Sequence, residues 1–344
     1  MRALLIGASL KDDFYDINYS LDELKNLAKT LDIEVIDKVI QKLDKLNNKT
    51  YIGVGKLKEV MLLIATLDID LLICNDELSP NQLKNIEELT KIECIDRSYL
   101  ILKIFEKRAM TKEAKLEIEL AKNLYLLPRI QTLKDKEERI GGKGITRGKG
   151  ETQRELDYRH LRNEIVHLQE EINKLNKMKQ TQIEKRKKND IPIVCLVGYT
   201  NSGKSTTMNT ILDYTNQNES KQVLSKDQLF ATLQTFNRKI EYNKVGFMLV
   251  DTIGFVSKLP HHLVASFYQT LEEVKHADLI IHVIDSSSNY KNEQFMVVEQ
   301  VLNFLDVKNI PTIYLLNKWD QNDNLGLSIP GKKSIPFSNK TKFN

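Results

Sequence analysis

The sequence predicts an α/β protein in three parts: a small amino-terminal α/β domain, a long antiparallel helical hairpin and a P-loop domain. Three observations carry that expectation. Short apolar runs alternate with helix-period segments up to about residue 110, two later stretches keep apolar residues three and four apart, and the apolar run 193–197 leads into a glycine-lysine turn. The implied domain boundaries are 1–110, 111–190 and 191–344. At 344 residues, 41% of them hydrophobic, the chain can build two or three ordinary cores.

In the first part, strand-like runs at 3–6, 33–40, 69–74 and 92–95 alternate with helical patterns at 21–31, 57–66, 81–89 and 99–107, a layered α/β arrangement. Gly53-Val54-Gly55-Lys56 is too short for a phosphate loop and reads as a strand-to-helix turn. The hairpin follows, with helical periodicity over 112–127 and 156–188. Tyr158, Leu161, Ile165, Leu168, Ile172 and Leu175 form its coiled-coil seam. The basic run Lys185-Arg186-Lys187-Lys188 reads as a solvated helix end. The loop at 138–155 is different in kind. Of the chain's 14 glycines it holds Gly141, Gly142, Gly144, Gly148 and Gly150, interleaved with Lys143, Arg147 and Lys149. Bare backbone among cations suits close approach to the phosphates of folded RNA better than it suits a plain linker.

The third part carries the chemistry. Gly198-Tyr199-Thr200-Asn201-Ser202-Gly203-Lys204-Ser205 fits G-x-x-x-x-G-K-[ST] between a strand and a helix. In such a loop backbone N–H groups face phosphates, Lys204 neutralises their charge and Ser205 can ligate Mg²⁺. Asn317-Lys318-Trp319-Asp320, after the apolar run 313–316, fits the N-K-x-D reader of guanine. The Asp320 carboxylate can accept from the paired donors of guanine, and adenine offers no such pair. Between them, Asp251-Thr252-Ile253-Gly254 follows the run 245–250 as a second metal anchor with a glycine for close approach to the γ-phosphate. A switch hydroxyl must complete the metal shell, and Thr232, Thr235 and Thr206 are all candidates. Phe255 stands where many GTPases of the Ras type place a water-orienting glutamine, so slow hydrolysis awaiting a partner is expected.

Composition excludes other classes. No run of about 18 apolar residues is present, and the opening Met1-Arg2-Ala3-Leu4-Leu5-Ile6-Gly7 reads as a strand, so no stable membrane insertion and a cytoplasmic location are expected. Cys74, Cys94 and Cys195 lie in apolar runs without C-x-x-C spacing, which points to buried thiols, not disulfides or zinc. The net charge of +4 permits an RNA partner without requiring one.

Taken together, these motifs resemble the HflX GTPases, which associate with the large ribosomal subunit. The likeness spans nearly the whole chain and is marked by Asn75-Asp76-Glu77-Leu78-Ser79-Pro80, Ile95-Asp96-Arg97, Ala109-Met110-Thr111, Gly148-Lys149-Gly150-Glu151-Thr152-Gln153, Phe230-Ala231-Thr232-Leu233 and Ala277-Asp278-Leu279. The resemblance implies that Thr232 joins Ser205 as Mg²⁺ ligand. It extends the nucleotide contacts over Phe230, Ala231, Thr232, Leu233 and Gln234, and over Asp251 to Gly254. It implies a monomer that binds the large subunit and its ribosomal RNA with GTP, splits stalled or idle ribosomes under stress, and hydrolyses GTP to GDP when the ribosome stimulates it. Lys143, Arg147 and Lys149 are where the family's contact near the peptidyl transferase region would fall. The chain departs from the family pattern in three places: Lys149 replaces a usual proline, Gln234-Thr235-Phe236-Asn237-Arg238 replaces D-P-T-T-R, and Ser338-Asn339-Lys340 replaces S-A-K. Only four residues follow this last box, so the closing helix of the GTPase domain is expected to be missing from this chain. A nucleotide-binding scaffold that docks on the ribosome with little hydrolysis is the alternative to an active enzyme.

Overall fold

In β1 (Arg2–Leu10) every residue from Ala3 to Ala8 is buried, as a strand covered on both faces must be. It is one of the two inner members of an all-parallel sheet ordered β2-β1-β3-β4, with β2 (Glu34–Leu43), β3 (Leu71–Cys74) and β4 (Glu93–Asp96). Helices α1 (Ile17–Lys29), α2 (Val54–Leu67), α3 (Pro80–Thr90) and α4 (Arg97–Arg108) alternate with the strands along the chain. The computed structural model describes residues 1–11, 16–140, 153–187, 191–215, 236–258, 274–321 and 334–341. They fall into two compact units, Met1–Lys174 and the described residues from Leu175 onward.

Local chemistry sets the helix starts. Asp16 caps α1 by accepting from the N–H groups of Asn18 and Tyr19. Ser79 and Gln82 form a reciprocal capping box on α3, whose first residue is Pro80. The Gly53-Val54-Gly55-Lys56 segment opens α2 as the sequence suggests, and Lys56 pairs with Glu59 of its own helix. Leu4, Ile6, Tyr51, Leu57, Leu72, Leu78 and Ile86 belong to the core on one side of this sheet. Cys74, Cys94 and Cys195 are buried free thiols.

The hairpin consists of α5 (Lys112–Ile140) and α6 (Gln153–Lys187). Ile165, Leu168 and Ile172 of the expected seam are buried with Leu120 of α5, against Leu116, Leu124 and Leu127. Lys112, at the start of α5, lies 3.5 Å from Glu171. The sequence reading ended the first arm at Leu127; α5 instead continues through Pro128. Proline removes one helix hydrogen bond and crowds the preceding turn. Next to it, the Arg129 guanidinium donates to the Tyr125 carbonyl at 2.6 Å and lies over the Tyr125 ring, 3.2 Å from its centroid.

The second unit is built on a six-stranded sheet ordered β10-β9-β8-β5-β7-β6. Its strands are β5 (Ile193–Gly198), β6 (Phe236–Tyr242), β7 (Val245–Asp251), β8 (Leu279–Asp285), β9 (Thr312–Asn317) and β10 (Ser334–Pro336). All pairs are parallel except β6 with β7, which close a hairpin through Asn243 and Lys244, both at positive φ. Helix α7 (Lys204–Tyr214) follows β5, and α8 (Lys291–Phe304) lies between β8 and β9 in sequence. Leu196, Met208, Leu212, Ile240, Leu249 and Val283 form the core beneath α7.

At the carboxyl edge of the first sheet, a network of charged side chains is buried. Arg97, 1% exposed, pairs with Glu23 and donates to the Ser20 carbonyl at 3.2 Å and to Asn75 Oδ1 at 3.0 Å. Its neighbour Asp96 accepts from the N–H groups of Tyr99 (2.8 Å) and Leu78 (3.0 Å) and from Arg129 (3.1 Å). Burial pushes the Asp96 carboxyl up, while those donors pull it back. Removing Arg97 as Arg97→Ala would break its buried ion pair with Glu23 and leave that carboxylate without its guanidinium, at a cost of about 3–5 kcal/mol. Hydrogen exchange of the β3 and β4 amides across a urea series measures this. A loss below about 1 kcal/mol would contradict the role given to the pair.

Candidate nucleotide-binding site

Parallel sheets bind ligands outside the carboxyl ends of their strands, at the point where strand order reverses. In the second sheet that point is the end of β5, flanked by β7 and β8. Every sequence-predicted box among the described residues converges there: Gly198 to Ser205 after β5, Asp251 to Gly254 at the end of β7, Asn317 to Asp320 at the end of β9, and Ser338 to Lys340 after β10. Phe230, Ala231, Thr232, Leu233 and Gln234 lie outside the described residues, as do Lys143, Arg147 and Lys149.

The phosphate loop is shaped by its backbone. Asn201 has φ +61° and Gly203 φ +96°, left-handed conformations that turn successive N–H groups toward one concavity. No other residue fits at 203, because an added Cβ would meet Asn317 Nδ2 at 2.1 Å. Gly203 also leaves the start of α7 without a side-chain cap, so the first N–H groups of the helix stay available for an anion. At Gly254 a Cβ would meet Thr200 Cα at 2.9 Å and Lys204 Nζ at 3.0 Å, so this segment approaches the loop only as glycine. Backbone bonds hold the two together: the Thr200 N–H donates to the Phe255 carbonyl at 2.7 Å, and the Phe255 N–H to the Gly198 carbonyl at 3.2 Å. Phe255 is 2% exposed.

Lys204 is buried, and Nζ donates to the carbonyls of Tyr199 (2.8 Å) and Gly198 (3.1 Å). Burial pulls its ammonium down to about 8, opposed by the charge of Asp251. Burial likewise pushes the Asp251 carboxyl up to about 6, against the pull of Lys204 and of the Ser205 hydroxyl, which donates to Asp251 Oδ2 at 2.6 Å. Among the described residues the other carboxylate oxygen, Asp251 Oδ1, is buried with no hydrogen-bond partner, and so are the hydroxyls of Thr200 and Ser202. Unmet buried polar atoms are costly, and their clustering here marks a place built for a charged ligand. Thr252 is spent on structure, its hydroxyl donating to the Leu196 carbonyl at 2.7 Å, and Ile253 is buried beside it.

On the other side of the loop, Asn317 donates from Nδ2 to the Ser202 carbonyl at 2.8 Å. Asp320 is exposed, with Oδ1 accepting from the Ser338 hydroxyl at 2.6 Å. Trp319 packs beside Ile284, Tyr314 and Leu316, which fixes the turn between Lys318 and Asp320. Lys340 is exposed. Sequence reasoning missed three participants. Asp285 ends β8 and accepts from Lys318 at 2.7 Å, although its apolar run ending in aspartate repeats the pattern of Val250-Asp251. Ser286 donates to the Asn317 carbonyl at 2.7 Å, and Thr207 lines the start of α7.

The Asp320–Ser338 bond gives a direct test of base reading. In Asp320→Asn the amide oxygen can still accept from Ser338 while the nitrogen becomes a donor, matching the O2 of xanthine in place of the guanine amine. Loss of one charge-assisted pair should weaken GTP by roughly 10- to 100-fold and favour xanthosine triphosphate. Competition binding reads both, and an unchanged preference for guanine would refute the assignment.

The comparisons with known proteins agree along the chain. Family models described as "GTP-binding GTPase N-terminal", "GTP-binding GTPase Middle Region" and "50S ribosome-binding GTPase" match residues 18–106, 108–186 and 193–318. GTPase HflX of Caldanaerobacter subterraneus subsp. tengcongensis is 45% identical over 302 residues, covering 88% of this chain and 69% of that protein. GTPase HflX of Alkalihalophilus pseudofirmus is 39% identical over 339 residues, 98% of this chain and 78% of its own length. Among solved structures, the crystal structure of SsGBP in complex with GDP aligns over 100% of this chain and 95% of its own, with a TM-score of 0.53 and 27% identity. With family models along its length and relatives of this identity and coverage, the chain belongs to the HflX family of GTPases.

Proposed function

We propose that the chain is a GTP-driven factor of the large ribosomal subunit that separates stalled or idle ribosomes, acting as a cytoplasmic monomer. The observation that carries this reading is the convergence of Lys204, the Ser205–Asp251 pair and the Asn317–Asp320 turn on one sheet edge, in a chain that also carries a helical hairpin. Among the described residues no helix is long and apolar enough to cross a membrane. On this reading the parts 1–110, 111–190 and 191–344 divide the work. The last binds GTP, the hairpin carries the basic loop, and the first holds the hairpin.

Lys204 and the free N–H groups at the start of α7 take the β- and γ-phosphates, and Asp320, steadied by Ser338, takes the guanine edge. Mg²⁺ fits the donor set: the Ser205 hydroxyl and the Asp251 carboxylate share one spot, and Asp251 Oδ1 is buried without a partner. Thr232 completes that shell on the family pattern. The ion would offset charge on the phosphate oxygens. Phe255 is buried and offers no hydrogen bond to water, so the nucleophile is oriented by a group from the ribosomal partner.

The loop supplies the experiment. Replacing Lys143, Arg147 and Lys149 together by alanine should weaken large-subunit binding and leave GTP affinity in isolation unchanged. Each cation–phosphate pairing removed should flatten the salt dependence by about one unit of slope. Sedimentation with subunits at several salt concentrations measures this, and a parental affinity and slope in the triple variant would put ribosome binding elsewhere on the chain.

A further inference from the structure

Asn339 stands where the resembling family usually has alanine, and its side chain is fully engaged. Nδ2 donates to Thr207 Oγ1 and to Asn317 Oδ1, each at 3.1 Å, with the Gly203 carbonyl at 3.4 Å. Oδ1 accepts from the Thr210 hydroxyl at 3.0 Å, which shares its proton with the Thr206 carbonyl. The amide can only face this way round. The Thr207 hydroxyl proton is committed to the Gly203 carbonyl at 2.9 Å, and Asn317 Nδ2 to the Ser202 carbonyl at 2.8 Å, so both neighbours present acceptors to Asn339 Nδ2.

One amide therefore touches three parts of the site. Thr207 and Thr210 lie one turn apart on α7, Gly203 belongs to the phosphate loop and Asn317 to the base reader. An alanine at 339 could make none of these side-chain bonds. We infer that Asn339 is a positioning residue that braces the base-reading loop against the phosphate loop and the first turns of α7, so that the grip on guanine and the grip on phosphate are released together. The inference rests on the guanine-nucleotide reading above. Its consequence is kinetic: the brace slows nucleotide release and sharpens base choice, because a base loop free to shift holds its two donors less well.

Stopped-flow release of fluorescent GDP from the full chain tests it, with fluorescent IDP, which lacks the exocyclic amine, as the comparison. Asn339→Ala should speed GDP release by roughly tenfold, the effect of one or two neutral hydrogen bonds, and IDP release by less, so that discrimination between the bases shrinks. Thr210→Val should speed GDP release in the same sense, and the double variant should add little to Asn339→Ala, since the two side chains share a bond. Thermal unfolding of the ligand-free variants separates a brace from general loosening, and Thr210→Val carries the test alone if Asn339→Ala does not fold. Parental GDP release in Asn339→Ala overturns the brace while leaving the nucleotide site standing. Equal acceleration for GDP and IDP with additive effects of the two substitutions overturns it as well. A parent chain that binds no guanine nucleotide removes the site, and the brace with it.

Discussion

The second unit depends on one electrostatic arrangement: an ammonium, Lys204, and a carboxylate, Asp251, buried at the carboxyl edge of a parallel sheet. Burial drives each toward its neutral form, and each partly restores the charge of the other. Neither is fully satisfied by protein. Among the described residues Asp251 Oδ1 and the hydroxyls of Thr200 and Ser202 are further unmet oxygens, and the left-handed backbone at Asn201 adds a little strain. On the proposed function a nucleotide would complete such a site, with phosphate charge for Lys204 and a divalent ion for Asp251. Stability and occupancy are then linked, since whatever binds the folded site stabilises it by mass action. Tight packing of Gly203 on Asn317 and of Gly254 on Thr200 passes this constraint into the base reader and into the segment after β7.

In the first unit the same physics serves architecture. The segments Asn75 to Pro80 and Ile95 to Arg97, which mark the family, supply the α3 capping box, the α4 cap and the buried ion pair of Arg97 with Glu23. Asp96 and the Leu78 carbonyl receive Arg129 from α5, at 3.1 and 2.9 Å. Helix α5 is thereby keyed to the sheet by a directional, charge-assisted contact, in addition to apolar packing.

Much of this was legible in the sequence, and the gaps have causes. The alternation of apolar runs and helical periods placed the four strands and four helices from β1 to α4, because a sheet covered on both faces demands continuous apolar strands. The boxes at Gly198, Asp251 and Asn317 stood out for a different reason, since each follows an apolar strand run at a fixed motif spacing, and the structure brings them to one sheet edge. Helix α5 runs past Pro128, where tertiary contacts of Arg129 with the Leu78 carbonyl and Asp96 offset a local penalty that sequence alone reads as a stop. Asp285 escaped because its partner Lys318 is 33 residues away, a pairing set by the β8–β9 register. Asn339 reads in the sequence as a member of the last guanine-loop box, Ser338-Asn339-Lys340, and as a departure from its usual alanine. Its role needed the distances to Thr207, Thr210 and Asn317, which no spacing encodes.

On the proposed function this chain grips guanine nucleotide through its described boxes and leaves the orientation of the attacking water to a ribosomal partner. GTP turnover of the purified chain with Mg²⁺, measured with and without large ribosomal subunits, tests it most directly. The account predicts slow intrinsic turnover that rises roughly tenfold or more when subunits are added. Equal turnover in the two conditions would contradict it.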